Sequence, residues 1–231
     1  MPRLILIGGG SSSGKSYLTK KVIEEVGEGQ ITHLTLDDYY KDQSAMSMEE
    51  RLKVNYDHPR AFDWKLMREQ VSALKKGEAI SKPVYDFVER TRSNKIETIE
   101  PKKLIVIEGI MALVDKELRQ MGDLRVFISA SAERRFLRRL IRDSEERGRP
   151  FEGIVKQYFS TVQPMYDEIV KPSSIYADLI VNNDGVTNRA IDVLASLFKK
   201  ELELAKEGKK DPLPEEEFQE DVLSRVFANR K

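Results

Sequence analysis

Residues 8–16 read GGGSSSGKS, and the eight residues from Gly9 to Ser16 satisfy the spacing G-x-x-x-x-G-K-S. The apolar run LILI (residues 4–7) stands directly before them, and a segment of helical period, residues 15–26, follows. A buried strand passing through such a loop into a helix holds polyphosphate, because the glycines let backbone N–H groups turn inward and the helix N-terminus adds its dipole. In this reading Gly9, Gly10, Ser11, Ser12, Ser13 and Gly14 cradle the phosphates, Lys15 reaches the β- and γ-oxygens, and the Ser16 hydroxyl binds Mg²⁺. The loop does not say where the phosphate goes.

The same strand-then-helix order repeats along the chain. LIVI (104–107), LRVFI (124–128), DLIV (178–181) and ITHLTL (31–36) read as further buried strands, and residues 63–76, 132–146 and 187–205 have helical period. The expected fold is α/β, a doubly wound parallel sheet of P-loop type with its chemistry in the loops at the strand C-termini. Residues 79–100 break the alternation: β-formers around "SN" and no helical period predict a β-ribbon projecting from the sheet, able to wall a substrate pocket. Residues 1–207 are expected to form one domain, with the ribbon at 79–100 and a lid region at 131–150. Residues 208–231 read as a solvated linker and an amphipathic helix whose face carries Phe218, Val222, Leu223, Val226 and Phe227, docking on the core or on a neighbouring subunit.

Composition narrows the function. With 231 residues, 40% of them hydrophobic, the chain can bury one substantial core. Lys+Arg and Asp+Glu both number 39, so no overall field attracts nucleic acid or an anionic membrane. Cysteine is absent, and His33 and His58 are too few and too far apart for a zinc motif. Any metal is expected to be a hard, oxygen-bound ion such as Mg²⁺. The apolar run at the N-terminus is too short for a signal peptide or membrane span, and the expected location is the cytoplasm.

Three further places carry chemistry. Asp37 and Asp38 follow the strand at 31–36; a carboxylate there accepts a proton from an attacking hydroxyl, positions a metal-bound water, or forms a turn that caps the next helix. Glu108 ends the run LIVI, which places an acid either at the rim of the phosphate site, where it would hold Mg²⁺ through water, or at a strand end facing solvent; burial of LIVI on both faces favours the rim. Between residues 134 and 149 stand seven arginines: Arg134, Arg135, Arg138, Arg139, Arg142, Arg147 and Arg149. Arg135, Arg138, Arg139 and Arg142 share a helical face opposite Phe136, Leu137, Leu140 and Ile141; the face is either a lid over phosphates or a solvated basic surface paired with Glu145 and Glu146.

Taken with the phosphate loop, LDDYYKDQS, NYDHPRAFD, PVYDFVERTR, IEGI, RDSEERGR and KQYFSTVQPMY resemble the uridine kinase (uridine–cytidine kinase) family over roughly residues 4–192. The resemblance implies an ATP- and Mg²⁺-dependent kinase acting on the 5′-hydroxyl of a pyrimidine ribonucleoside. It implies that Asp37 is the catalytic carboxylate, that Ser16 and Glu108 hold Mg²⁺ and that Lys15 binds phosphate. It places Asp57, Arg139 and Gln157 at the ribose, Tyr85 and Arg149 near the base, and Arg142 and Arg147 in a lid that reaches the nucleotide phosphates, with His58 a structural neighbour. It also implies a homo-oligomer, by family habit a tetramer.

Two departures stand out. Arg90 occupies the position where the family has a histidine at the base edge. The family's P-R-G near the adenine pocket is Asn182-Asn183-Asp184 here, which leaves ATP or GTP open as the donor. The alternatives are a phosphoribulokinase-like sugar-phosphate kinase, against which NYDHP and PVYDFV speak, and a non-catalytic nucleotide sensor, against which intact Lys15, Ser16, Asp37 and Glu108 speak. A GTPase switch would need N-K-x-D, and the chain has none.

Overall fold

The computed structural model describes residues 1–185 and 188–208. The expected linker and amphipathic helix of residues 208–231 lie outside them apart from Gly208. Among the described residues, five strands form one parallel sheet: β1 (Arg3–Gly9), β2 (Ile31–Thr35), β5 (Leu104–Glu108), β6 (Leu124–Ser129) and β7 (Leu179–Asn182), in the order β2-β5-β1-β6-β7. The apolar runs are continuous because both faces of the sheet are covered. Leu4 and Leu6 of β1 face α3 (Trp64–Lys76) and α4 (Lys116–Met121), while Ile5 and Ile7 face α1 (Lys15–Val26) and α8 (Asn188–Glu207). On the first face Met67, Val71 and Leu74 meet Ile105 and Ile107; on the second Leu18, Val22 and Phe198 meet Val106 and Val126.

The ribbon is the antiparallel pair β3 (Ile80–Asp86) and β4 (Thr91–Ile99). Its turn is not at Ser93 and Asn94, which lie within β4, but at residues 87–90. Asp86 determines this. Its carboxylate accepts from the Val88 and Glu89 backbone N–H groups at 2.8 and 3.0 Å, and Arg90 completes the turn at φ 53°. β3 also packs inward, with Ile80 and Tyr85 in the core.

Beyond α2 (Met48–Lys53), sequence periodicity missed a helical stretch that closes one side of the site. α6 (Phe151–Gln157) passes into a π-helical turn (Tyr158–Val162), α7 (Gln163–Met165), a second π-helical turn (Tyr166–Val170) and a 3₁₀ turn (Pro172–Tyr176). The arginine-rich helix α5 (Ala132–Glu145), expected to form the lid, follows β6.

Candidate active site

β1 delivers the glycine loop to the C-terminal edge of the sheet, and α1 begins at Lys15. Gly14 sits at φ 94°, where a Cβ would come within 2.0 Å of Asn183 Nδ2. Asn183 explains the closeness: it is buried, donates to Ser13 O at 2.7 Å, and accepts from Arg138 Nη2 at 2.9 Å through its carbonyl. Asp184 accepts from the Ser131 backbone at 2.7 Å. The Asn-Asn-Asp departure therefore ties the phosphate loop to the start of α5.

Lys15 is buried and donates to Gly10 O at 3.1 Å; burial pushes its pKa down, against the pull of Glu108 and Asp37. The Ser12 and Ser13 hydroxyls are buried without a hydrogen-bond partner. The loop opens on a cavity of about 320 Å³ lined by Ser11, Ser12, Gly14, Lys15, Ser16, Asp37, Glu108, Arg138 and Arg142. Gly9, Gly10 and Ser13 belong to its frame rather than its lining.

The two adjacent aspartates part company. Asp37 lines the phosphate cavity, its backbone N–H held by Thr35 Oγ1 at 3.4 Å; burial raises its pKa, Lys15 pulls the other way and Glu108 adds to the rise. Asp38 turns to the ribbon, pairing with the buried Lys82 and accepting from the Tyr85 N–H at 3.4 Å. Glu108 is buried rather than facing solvent: Ser16 Oγ donates to its Oε2 at 2.9 Å, and His33 Nε2 lies 3.4 Å from its Oε1. Burial pushes the Glu108 pKa up, but His33, Lys15 and Ser16 together hold it below the ordinary carboxylate value.

A second cavity of about 620 Å³ adjoins the first; both are lined by Glu146 of the lid. Tyr40, Tyr56, Tyr85 and Phe87 form its apolar wall, with Tyr40 and Tyr85 rings 5.0 Å apart. Arg90, Arg139, Arg147, Arg149 and Gln157 complete it. Arg139 bridges the two cavities, donating to Ser11 Oγ at 2.8 Å and to Gln157 Oε1 at 3.0 Å. Arg149 donates to the same Gln157 oxygen at 2.7 Å. Arg147 sits on this cavity, 5.2 Å over the Phe87 ring, while Arg142 sits on the phosphate cavity. Asp57 is buried, and burial raises its pKa against the opposing pull of Arg139 and Arg142. His58 Nδ1 accepts from the Arg60 N–H at 3.0 Å and stiffens the local turn.

The arginine-rich helix is not a solvated basic face. Arg135, Arg139 and Asp143 are buried, while Leu137 and Ile141 are more than half exposed. Asp143 organises the group: Arg142 and Arg149 hydrogen-bond to it at 2.8 and 3.1 Å, and Arg139 and Arg147 stand at 3.5 and 3.6 Å. Burial raises the Asp143 pKa, but the guanidinium groups of Arg139, Arg142 and Arg147, Arg139 foremost, bring it below the usual carboxylate value. Sequence reasoning overlooked Asp143, although its place four residues after Arg139 on a helix is an i,i+4 pair. It also set His33 aside.

A loop so built binds phosphate oxygens, and beside carboxylates at the C-terminal edge of a parallel sheet it marks a P-loop phosphotransferase. The profile of the Phosphoribulokinase / Uridine kinase family matches residues 4–190, and the chain belongs to that family. It is 45% identical over 198 residues to a protein named uridine kinase from Deinococcus deserti, covering 86% of this chain and 96% of that one. A second uridine kinase, from Geobacillus sp. (strain WCH70), is 44% identical over 202 residues, with 87% and 96% covered. In fold the chain is similar to phosphoribulokinase from Rhodobacter spheroides, with a TM-score of 0.60 at 12% identity over 78% of this chain and 70% of that one.

Proposed function

We propose that this chain transfers the γ-phosphoryl group of ATP to the 5′-hydroxyl of a pyrimidine ribonucleoside, uridine or cytidine, forming the nucleoside monophosphate. The observation that carries this is the pairing of two adjoining cavities, one framed by backbone and Lys15 for phosphates, the other walled by tyrosines for a flat base. The relatives named uridine kinase agree with it.

In this reading Asp37 orients the 5′-hydroxyl and takes its proton, and its raised pKa suits a base. Asp57 accepts both ribose hydroxyls, and Arg139 opposes the rise that burial imposes on its pKa. Arg139 and Gln157 fix the sugar against the phosphate loop, and Tyr85, Arg90 and Arg149 surround the base. Lys15, Arg142 and Arg147 balance charge developing on the transferred group. Ser16 and Glu108 bring two hard oxygens together at 2.9 Å, a donor set that suits Mg²⁺. The ion supplies neutralisation of the β- and γ-phosphate charge.

The aromatic wall favours a nucleoside over the sugar phosphate of a phosphoribulokinase-like enzyme, and the convergence of Lys15, Ser16, Asp37 and Glu108 on one cavity favours catalysis over sensing. Pyrimidine salvage, residence in the cytoplasm, use of ATP rather than GTP and assembly into a homotetramer belong to the same proposal and rest on the family. No helix among the described residues is long and apolar enough to cross a membrane. The test is ADP release with Mg·ATP and a panel of acceptors. Uridine and cytidine should turn over and adenosine should not. Turnover of a sugar phosphate alone would favour the phosphoribulokinase-like reading, and tight ATP binding with no acceptor at all the sensor.

A further inference from the structure

The geometry points to His33 as a positioning residue that fixes the Glu108 carboxylate for the divalent cation. β2 is an edge strand of the sheet, paired in parallel with β5 so that His33 stands beside Val106 and Thr35 beside Glu108. His33 and Glu108 therefore project from the same face, two positions apart along the strands. That face receives α1: Ile31, Leu104 and Val106 pack there with Leu18 and Val22. Ser16, in the first turn of α1, donates to Glu108 from that helix.

The two carboxylate oxygens thus have separate partners, Ser16 on Oε2 and His33 on Oε1. One partner leaves a carboxylate free to swing about its last torsion, which is broad and soft; a second fixes its plane. Behind the pair lies a cavity of about 490 Å³, lined by His33, Lys20, Ile23 and Lys102 as well as by Ser16 and Glu108. Lys102 donates to Glu28 O at 2.9 Å across its rim. Ser16 and Glu108 also line the phosphate cavity, so they form the partition between the two spaces, and His33 braces it from behind. The His33 side chain is 37% exposed, and a β-branched residue would complete the edge strand equally well, so the imidazole is not explained by packing.

This inference rests on the kinase reading, and the experiment separates the two. Mn²⁺ serves as the probe, its free concentration followed by electron paramagnetic resonance in the presence of ADP, for the wild type, His33→Val and His33→Gln. ADP affinity without metal is measured in parallel. His33→Val should weaken Mn²⁺ binding by about 10-fold, the lower end for an outer-shell partner. His33→Gln, whose amide donates from a similar reach, should restore most of it, and metal-free ADP affinity should stay constant. Unchanged Mn²⁺ affinity in His33→Val, a His33→Gln variant as weak as His33→Val, or a parallel fall in metal-free ADP affinity would overturn the inference and leave the kinase reading standing. A wild type with no ADP-dependent Mn²⁺ binding would overturn both.

Discussion

In the short turn after β2, one residue of rotation separates a carboxylate on the phosphate cavity from one clamped to the ribbon. Asp37→Asn should lower kcat by about 10²- to 10⁴-fold while ATP affinity stays within a few-fold, because the amide keeps the shape and cannot take the proton. Asp38→Asn should keep most turnover and lower the melting temperature, because buried Lys82 loses its nearest carboxylate. Reversed effects would refute the assignment. As the proposed base, Asp37 would act in its ionised form, and burial raises its pKa; activity should therefore be full above the raised value and be lost as pH falls through it. The acid limb of kcat/KM should lie above the ordinary aspartate value of 3.8 and vanish in Asp37→Asn. Arg90 lines the aromatic cavity and only donates hydrogen bonds. In the proposed site it would serve uracil O4 but face the cytosine amino group donor to donor, a mismatch of about 1–3 kcal/mol or about 5- to 150-fold in kcat/KM. Uridine should be preferred, and Arg90→His should narrow the gap; an unaltered ratio would show that Arg90 sets no specificity.

The lid helix carries its charges inward around Asp143 and leaves Leu137 and Ile141 in water. Removing one partner from a buried charge cluster costs about 3 kcal/mol or more, so Asp143→Asn should lower the melting temperature by about 6–12 °C and reduce kcat as the guanidinium groups lose their common anchor. Calorimetry and steady-state kinetics check both; an unchanged melting temperature would remove Asp143 from its central place. Arg142→Ala should reduce kcat by more than it raises the nucleoside KM. The elements legible in the sequence were those with a plain period: the five strands, α1, α3, α5 and α8 all follow from apolar runs or 3.6-residue spacing. The ribbon turn escaped because Asp86, not the small polar pair Ser93-Asn94, nucleates it. The stretch from Phe151 to Tyr176 escaped because its two π-helical turns shift the periodicity and Pro164 and Pro172 break it into short pieces. The amphipathic pattern of α5 was visible, but not which face is buried, since that depends on the phosphate loop, Gln157 and Asn183 arriving from elsewhere in the chain.

Across the whole molecule, the sheet sets the glycine loop, Asp37 and Glu108 on one edge, while the ribbon and the lid close an aromatic cavity beside them. Phe87 of the ribbon turn meets Arg147 of the lid across that cavity, and Arg139 joins it to the phosphate loop. The glycine loop of the phosphate cavity was legible because it is one contiguous motif, whereas Asp37, Glu108 and Arg142 reach that cavity from separate segments. In the aromatic cavity, Tyr85, Arg90, Arg139, Arg149 and Gln157 were named through resemblance while Tyr40 and Tyr56 escaped, because these residues come from separate segments and no local spacing unites them. Phosphoryl transfer to a 5′-hydroxyl is tested by following label from γ-³²P-ATP with uridine, with 5′-deoxyuridine alongside. Label should appear in uridine 5′-monophosphate, and none should pass to 5′-deoxyuridine. Label on the 2′- or 3′-oxygen, or transfer undiminished by loss of the 5′-hydroxyl, would contradict the account.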